Sequence, residues 1–334
     1  MNILSTVLNS GFANNSGTSQ ATPMVAGAAA LVWGKTPTLS RNQVVNTLVS
    51  TGEKTSCGFA ASTPRLDVRK ALLGTSETAL VGMILDPVTG LAPSPDTTPV
   101  TAKLFSGTTL LKSDDTNQSG FYEMTELAAG TGMQLKDTRS GYVSATLRKP
   151  ISITSGQVAG PFTDALPQSR PTGNATVTID WKTLQPVIDT AGCVDACNGW
   201  EFDLAVRLPD GSFVQAVQGS QGSLTSAPFV SAPRNSTSDL DPMEGLIIGS
   251  QAADGTYKII GFKWPDPAGT QWNPSWNGSQ ASVQMYNGAA KLGGGLKKVP
   301  STCGTNPLWY VGDLTKSGTS YTWTNKNLCT NIVP

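Results

Sequence analysis

The chain of 334 residues contains no histidine. That absence removes the side chain that most often serves as general base near neutral pH and most often ligates metals. Charge is scarce as well: Asp, Glu, Lys and Arg make up 14% of the residues, where globular proteins carry roughly 25%. Positive and negative groups balance to a net charge of zero. With no Lys/Arg cluster, nothing marks a surface for nucleic acid or an anionic membrane. No long hydrophobic run exists. The longest, Met24–Trp33, falls short of the ~20 residues that span a bilayer. The first residues, Met1-Asn2-Ile3-Leu4-Ser5, lack the basic start and apolar core of a signal peptide. If the chain is secreted, its signal is expected upstream of Met1.

Cysteine is also sparse, at five residues. Cys193 and Cys197 are close enough in sequence for a local bridge, and Cys303 and Cys329 flank one hairpin-like stretch and are a second candidate pair. Cys57 is then left over, which suggests a missing partner or a free thiol. The Cys-x3-Cys spacing also has a zinc reading, but no histidine and no second close pair support it. What the chain has in abundance is Gly, Ser, Thr, Asn and Pro, with short alternating apolar runs between them. That composition suits a secreted, extracellular, β-rich protein of two or three domains.

Three stretches differ in pattern. Residues 1–74 carry helical signals. Ala21–Trp33 is uncharged and apolar on every face, so it is expected to be buried. Pro23 is read as lying in its first turn, where proline is tolerated. Ser40 with Gln43 reads as a capping box opening a helix to Val49, with Gly52 as its stop. Leu66–Leu72 reads as a short third helix. From residue 75 to 166 the period changes to two, with Val100, Ala102 and Leu104 alternating with Thr101, Lys103 and Phe105. Asp114–Gly120 reads as a turn, followed by strands at Phe121–Met124 and Val143–Leu147. Residues 167–334 again alternate, at Val177–Trp181, Phe202–Leu208, Glu244–Ile248 and Lys258–Phe262, with a Pro209-Asp210-Gly211 turn.

The most specific string is Gly17-Thr18-Ser19-Gln20-Ala21-Thr22-Pro23-Met24-Val25-Ala26-Gly27. It resembles the segment around the nucleophilic serine of subtilisin-like serine peptidases (subtilases), G-T-S-x-A-T-P-x-V-A-G, at every specified position. Ile3-x-Ser5-Thr6 matches the family's preceding strand, and Leu66–Leu72 stands in the place of its terminal helix. The resemblance implies a nucleophile at Ser19, whose own backbone N–H would serve the oxyanion hole, presented by a turn at Gly17 and Thr18. It also implies an Asp, a His and an oxyanion Asn, all preceding the serine in chain order and hence upstream of Met1. A serine hydroxyl needs a base within hydrogen-bond reach. Lys35 and Lys54 are bases in principle only, since nothing in the family places them near. The expectation is therefore the C-terminal part of a secreted serine endopeptidase acting on protein or peptide substrates. This chain alone is expected to be inactive, and no cofactor is required. A plain N-cap role for Ser19 is the simpler structural alternative.

The middle stretch resembles carboxypeptidase-regulatory-like or Cna-B-like prealbumin-type β-sandwich modules. The shared features are a Thr89-Gly90 turn, Asn117-x-x-Gly120-x-Tyr122 with Asn in place of the usual Asp, and Gly141-Tyr142. The last stretch resembles the jelly-roll or P-domain-like β-sandwich that follows many subtilase domains, through Phe202–Gly211 and Asp241-x-x-Glu244. The fold class is thus mainly β with an α/β remnant: 1–74 the end of a doubly wound subtilase domain, then two β-sandwich modules at 75–166 and 167–334. Asp203, Asp239, Asp241 and Glu244 are candidate ligands for a structural calcium ion, which takes several oxygens; the alternative is solvated loop carboxylates. Trp264, Trp272 and Trp276 fall in a Pro/Gly/Asn-rich stretch that reads as loop, as binding aromatics for a surface or polymer or as rim packing. Asn14, Asn117, Asn174, Asn235 and Asn277 open N-x-S/T sequons, which matter only in a eukaryotic secretory setting. The contrasting reading of the whole is a non-enzymatic binding or surface protein that carries an inactive peptidase remnant.

Overall fold

A computed structural model describes the chain except for residues 1–2, 8–10, 16, 55–63, 75–77, 94–97, 147–149, 182–201, 216–220, 235–242, 264–275 and 305. The protein is mainly β, with 45% strand and 15% helix. Among the described residues no helix is long and apolar enough to cross a membrane.

The chain opens with an antiparallel hairpin, Ile3–Val7 against Gly11–Asn15. Helix α1 follows at Thr18–Lys35, then α2 at Arg41–Thr51 and α3 at Val68–Leu73. The start of α2 follows from its first residues. Ser40 accepts from the Gln43 N–H, and the Gln43 side chain takes the Ser40 N–H at 2.8 Å, the reciprocal bonding of a capping box. Asp67 does the same work for α3, accepting the Lys70 N–H at 2.8 Å. The three helices meet at Ala28 and Val32 of α1 and Val44 and Leu48 of α2, against Leu66, Val68 and Leu72. Each helix contributes residues one turn apart, the stripe that an i, i+4 period dictates.

The expected all-round burial of α1 does not occur. Met24 is 60% exposed and Trp33 47%, and Val25 and Leu31 are also open. The reason is geometric: α2 and α3 cover one stripe, and no described element covers the rest. The position of Pro23 also differs from expectation. Because α1 starts at Thr18, Pro23 lies in the second turn. A proline there has no N–H to give the carbonyl four residues earlier, that of Ser19.

Residues 79–165 form two sheets. In one, the order is Ala145–Thr146, Gly130–Thr138, Thr101–Ser106, Thr109–Asp115, with Ile151–Ile153 also on Gly130–Thr138. In the other, Ala79–Leu85 lies between Val158–Ala165, which runs parallel to it, and Phe121–Met124, which runs antiparallel. The expected alternation holds: Val100, Ala102 and Leu104 are buried, and pack with Leu80, Ile84, Tyr122 and Leu135. The turn before Phe121 is shorter than expected, since Asp114 and Asp115 belong to the strand Thr109–Asp115. Asn117 builds the turn itself, its Oδ1 accepting the N–H groups of Ser119 at 2.9 Å and Phe121 at 3.0 Å. The strand expected at Val143–Leu147 is described only at Ala145–Thr146.

Residues 175–330 form two further sheets that share one core. One runs Gly222–Ser223, Val230–Ser231, Met243–Ile248, Ala175–Asp180, Ser282–Asn287, Ala290–Lys291, with Lys297–Lys298 also on Ser282–Asn287. The other runs Phe213–Gln215, Phe202–Arg207, Gly255–Lys263, Leu308–Ser317, Ser320–Thr330. Side chains from both meet in a cluster that includes Val177, Ile179, Trp181, Phe202, Leu204, Ile259, Trp276 and Trp309. The middle and last sheets touch through Leu85, Ala165 and Met243. Gly245 permits this contact: a Cβ there would fall 2.7 Å from Val88 Cγ2 and 3.0 Å from Val88 N.

Candidate active site around Ser19

Gly17 caps α1 with φ 152° and ψ 170°. A Cβ strains a backbone at that φ, so glycine is required. The Gly17 carbonyl accepts the N–H groups of Gln20 and Ala21, both at 3.2 Å. Thr18 and Ser19 therefore occupy the first turn, where N–H groups have no partner inside the helix. Ser19 is exposed, and among the described residues nothing hydrogen-bonds its hydroxyl. The Thr18 carbonyl accepts from Thr22 Oγ1 at 2.8 Å, which steadies the turn. No acidic side chain lies in this first turn and no side chain caps it, so the positive end of the helix dipole is uncompensated. Two free amides, a positive dipole end and an exposed hydroxyl are the local parts of an oxyanion-stabilising nucleophile site. The plain N-cap alternative does not describe it, because Gly17, not Ser19, is the cap.

A base is what the described residues lack here. Lys35 lies sixteen residues further along the same helix, about 24 Å away at ~1.5 Å per residue, and its ammonium donates to the Leu72 carbonyl. The side chain of Lys54 is outside the described residues.

The remaining candidates are placed as follows. Cys303 and Cys329 form a disulfide; Cys57, Cys193 and Cys197 lie outside the described residues. Asp203 and Glu244 are not loop carboxylates. They sit on the strands Phe202–Arg207 and Met243–Ile248 and are buried, and Glu244 Oε2 accepts the Leu204 N–H of the opposite sheet at 2.8 Å. Asp239 and Asp241 lie outside the described residues. Calcium takes six to eight oxygens; among the described residues no group of three or more His, Cys, Asp or Glu converges. Of the four, the two described carboxylates, Asp203 and Glu244, lie on strands of opposite sheets, and Glu244 holds a backbone amide. Trp276 is not a loop aromatic available to a ligand. It is 0% exposed, its ring 4.4 Å from that of Phe202 and 6.0 Å from that of Trp309. Its indole N–H donates to the Asn306 carbonyl at 2.7 Å. Trp264 and Trp272 lie outside the described residues.

One buried polar group escaped the sequence reading. Asp137 on Gly130–Thr138 and Asp164 on Val158–Ala165 are buried beside Tyr122. Burial, and then the neighbouring Asp164, raise the Asp137 carboxyl well above the usual carboxylate range. Burial and both carboxylates raise the Tyr122 phenol. The signal was present: Met133, Leu135 and Asp137 alternate onto one face, and that face is the core.

Residues 2–76 match the family model described as the subtilase family. The N-terminal part of this chain is subtilisin-like. The matched segment includes the Gly17–Gly27 string and the helices α1, α2 and α3, and it accounts for less than half of the chain. No curated protein matches the chain. Among solved structures, fervidolysin from Fervidobacterium pennivorans, a keratinolytic enzyme related to subtilisin, is 13% identical, with 96% of this chain and 42% of that one covered and a TM-score of 0.23. The TIE protein of Bacillus anthracis is 12% identical, with 64% and 31% covered and a TM-score of 0.23. The chain thus spans less than half of either protein, and similarity at this level carries no argument about the subtilase-like segment or the sheets that follow it.

Proposed function

We propose that Ser19 is the acyl-forming nucleophile of a secreted subtilisin-like serine endopeptidase. Its general base, orienting acid and side-chain oxyanion donor are supplied by residues outside this sequence. The observation that carries this reading is the exposed Ser19 hydroxyl on the uncapped first turn of α1, inside a segment that matches the subtilase family. In that setting Ser19 attacks the scissile carbonyl, and the Ser19 N–H helps hold the oxyanion. Protein or peptide chains are the substrates. The 334 residues alone hydrolyse no peptide bond at a useful rate, because the sequence holds no histidine and Lys35 is a helix-length away. In subtilisin, loss of the catalytic histidine alone costs about a million-fold in kcat. The sheets from residue 79 onward serve as accessory modules of that enzyme.

The test is to express the chain together with the coding sequence that precedes Met1 and to measure hydrolysis of casein. Activity that Ser19→Ala abolishes supports the reading. Activity indifferent to Ser19→Ala overturns it, and a stop codon immediately upstream or an extended protein that hydrolyses no casein overturns it in favour of a non-enzymatic surface protein.

A further inference from the structure

We infer that a cleft at one end of the C-terminal sheets is a binding site for a carbohydrate, taken as a pyranose ring lying on Phe229 with its hydroxyls toward Asp210 and Gln251. This assignment stands independently of the role of Ser19. The cleft measures about 510 Å³, within the ~300–1,000 Å³ of small-molecule sites. Three connections build it: the turn Leu208–Ser212, the loop that ends at Phe229, and the segment from Gln251 to Ala253. Its walls are apolar at Pro209, Pro228 and Phe229, and polar at Asp210, Ser212 and Gln251.

The aromatic wall is half-buried, with Phe229 packed on one side against the core of the C-terminal sheets, which holds it in place. Phe229 has φ 57°, a conformation that bulky side chains avoid and that gathers at ligand clamps. The surrounding bonds impose it. Its N–H donates to the Ser226 carbonyl at 2.8 Å, and its carbonyl accepts the Gly249 N–H at 2.8 Å. Ser223 Oγ accepts the N–H groups of Thr225 at 3.1 Å and Ser226 at 3.3 Å. Gly249 leaves no slack, since a Cβ there would come within 2.9 Å of the Phe229 oxygen. On the opposite rim, Asp210 Oδ1 accepts both the Ser212 N–H at 2.9 Å and the Ser212 hydroxyl at 2.6 Å. These bonds hold the carboxyl below its usual range, so it stays an acceptor at neutral pH. The floor is fixed by Tyr257, whose hydroxyl donates to the Ala253 carbonyl at 2.5 Å. A site that is rigid when empty spends little ordering entropy on binding.

The lining chemistry selects the ligand class. No lysine or arginine lines the cleft, and Arg207, whose guanidinium lies beside Gly211, already donates to the Pro334 carbonyl, so phosphates and carboxylates find no free cation there. A single carboxylate among apolar walls falls well short of the six to eight oxygens calcium takes. A purely apolar ligand would gain nothing from Asp210 and would have to displace its water. A sugar ring matches both halves: its C–H face covers an aromatic ring, and its hydroxyls donate to a carboxylate and exchange bonds with an amide. Asp210 and Gln251 are both exposed and line the same cleft as Phe229.

The test uses the full 334-residue chain in isothermal titration calorimetry with cellopentaose, chitopentaose, xylopentaose and maltopentaose as probes. Phe229→Gly keeps the loop, because glycine adopts that φ freely, and removes the ring. Asp210→Asn keeps an oxygen for Ser212 and removes the charge. The expected result is saturable binding of at least one probe, weakened tenfold or more by each variant, with the melting temperature unchanged in Asp210→Asn and, because Phe229 also packs against the core, lowered in a still cooperatively folded Phe229→Gly. Three results overturn the inference: no binding of any of the four at millimolar concentration, binding that both variants retain, or Phe229-dependent binding of a polyproline peptide in place of every sugar.

Discussion

Replacing Trp276 by alanine isolates the structural reading of the C-terminal sheets. The side chain is fully buried between Phe202 and Trp309 and bonds the Asn306 carbonyl. Removal of a buried tryptophan costs about 3–5 kcal/mol, and the stranded Asn306 carbonyl adds about 1 kcal/mol. An expected loss of about 4–6 kcal/mol follows. With a urea slope of ~2 kcal/mol/M, the transition of these sheets moves down by about 2–3 M. Trp276→Phe keeps much of the ring packing and loses the N–H, so its shift is about one third to one half as large. Trp33→Ala, on the open face of α1, moves nothing beyond ~0.5 kcal/mol, the scale of surface changes. Urea denaturation followed by near-UV circular dichroism reads all three. If the Trp276→Ala shift is no larger than that of Trp33→Ala, the ring is not core and the packing argument is wrong.

Two further changes test other parts of the molecule. Asp137 binds its proton more tightly folded than unfolded. The stability this gives is present in full below the unfolded value of about 3.9 and is lost as pH rises through the raised folded value. Asp137→Asn cannot ionise, so its melting temperature gains on the parent as pH rises from 4 to 8; a constant difference between the two refutes the buried-acid assignment. Gly245→Ala drives a methyl group into Val88 and its backbone nitrogen, at a cost of about 1–3 kcal/mol. Calorimetry should then show the middle and last sheets melting further apart, and an unchanged trace would contradict the contact.

Local signals in the sequence translated well into structure. Ser40 and Gln43 announce α2 because a capping box is a four-residue event, and Val100, Ala102 and Leu104 announce a strand because side-chain period is local. The burial of α1 was not legible. An apolar helix says that it prefers a cover, and whether one exists depends on residues far from it. Trp276 misled for a related reason: the composition around it is that of a loop, but a short helical turn at Trp276–Ser279 directs the ring into the core. Asn117 shows the reverse. It departs from the usual Asp, and its side-chain oxygen still makes both turn bonds. For the candidate site, the glycine turn that presents Ser19 was legible from Gly17–Gly27, and the distance of Lys35 from it needed only the helix rise.

The most direct measurement is active-site labelling with a fluorophosphonate probe, applied to the 334-residue chain and to the same chain extended by its upstream-encoded segment. The account predicts no labelling of the chain alone and stoichiometric labelling of the extended protein on Ser19, lost in Ser19→Ala. Labelling of Ser19 in the chain alone, or an extended protein whose Ser19 stays unlabelled, would contradict it.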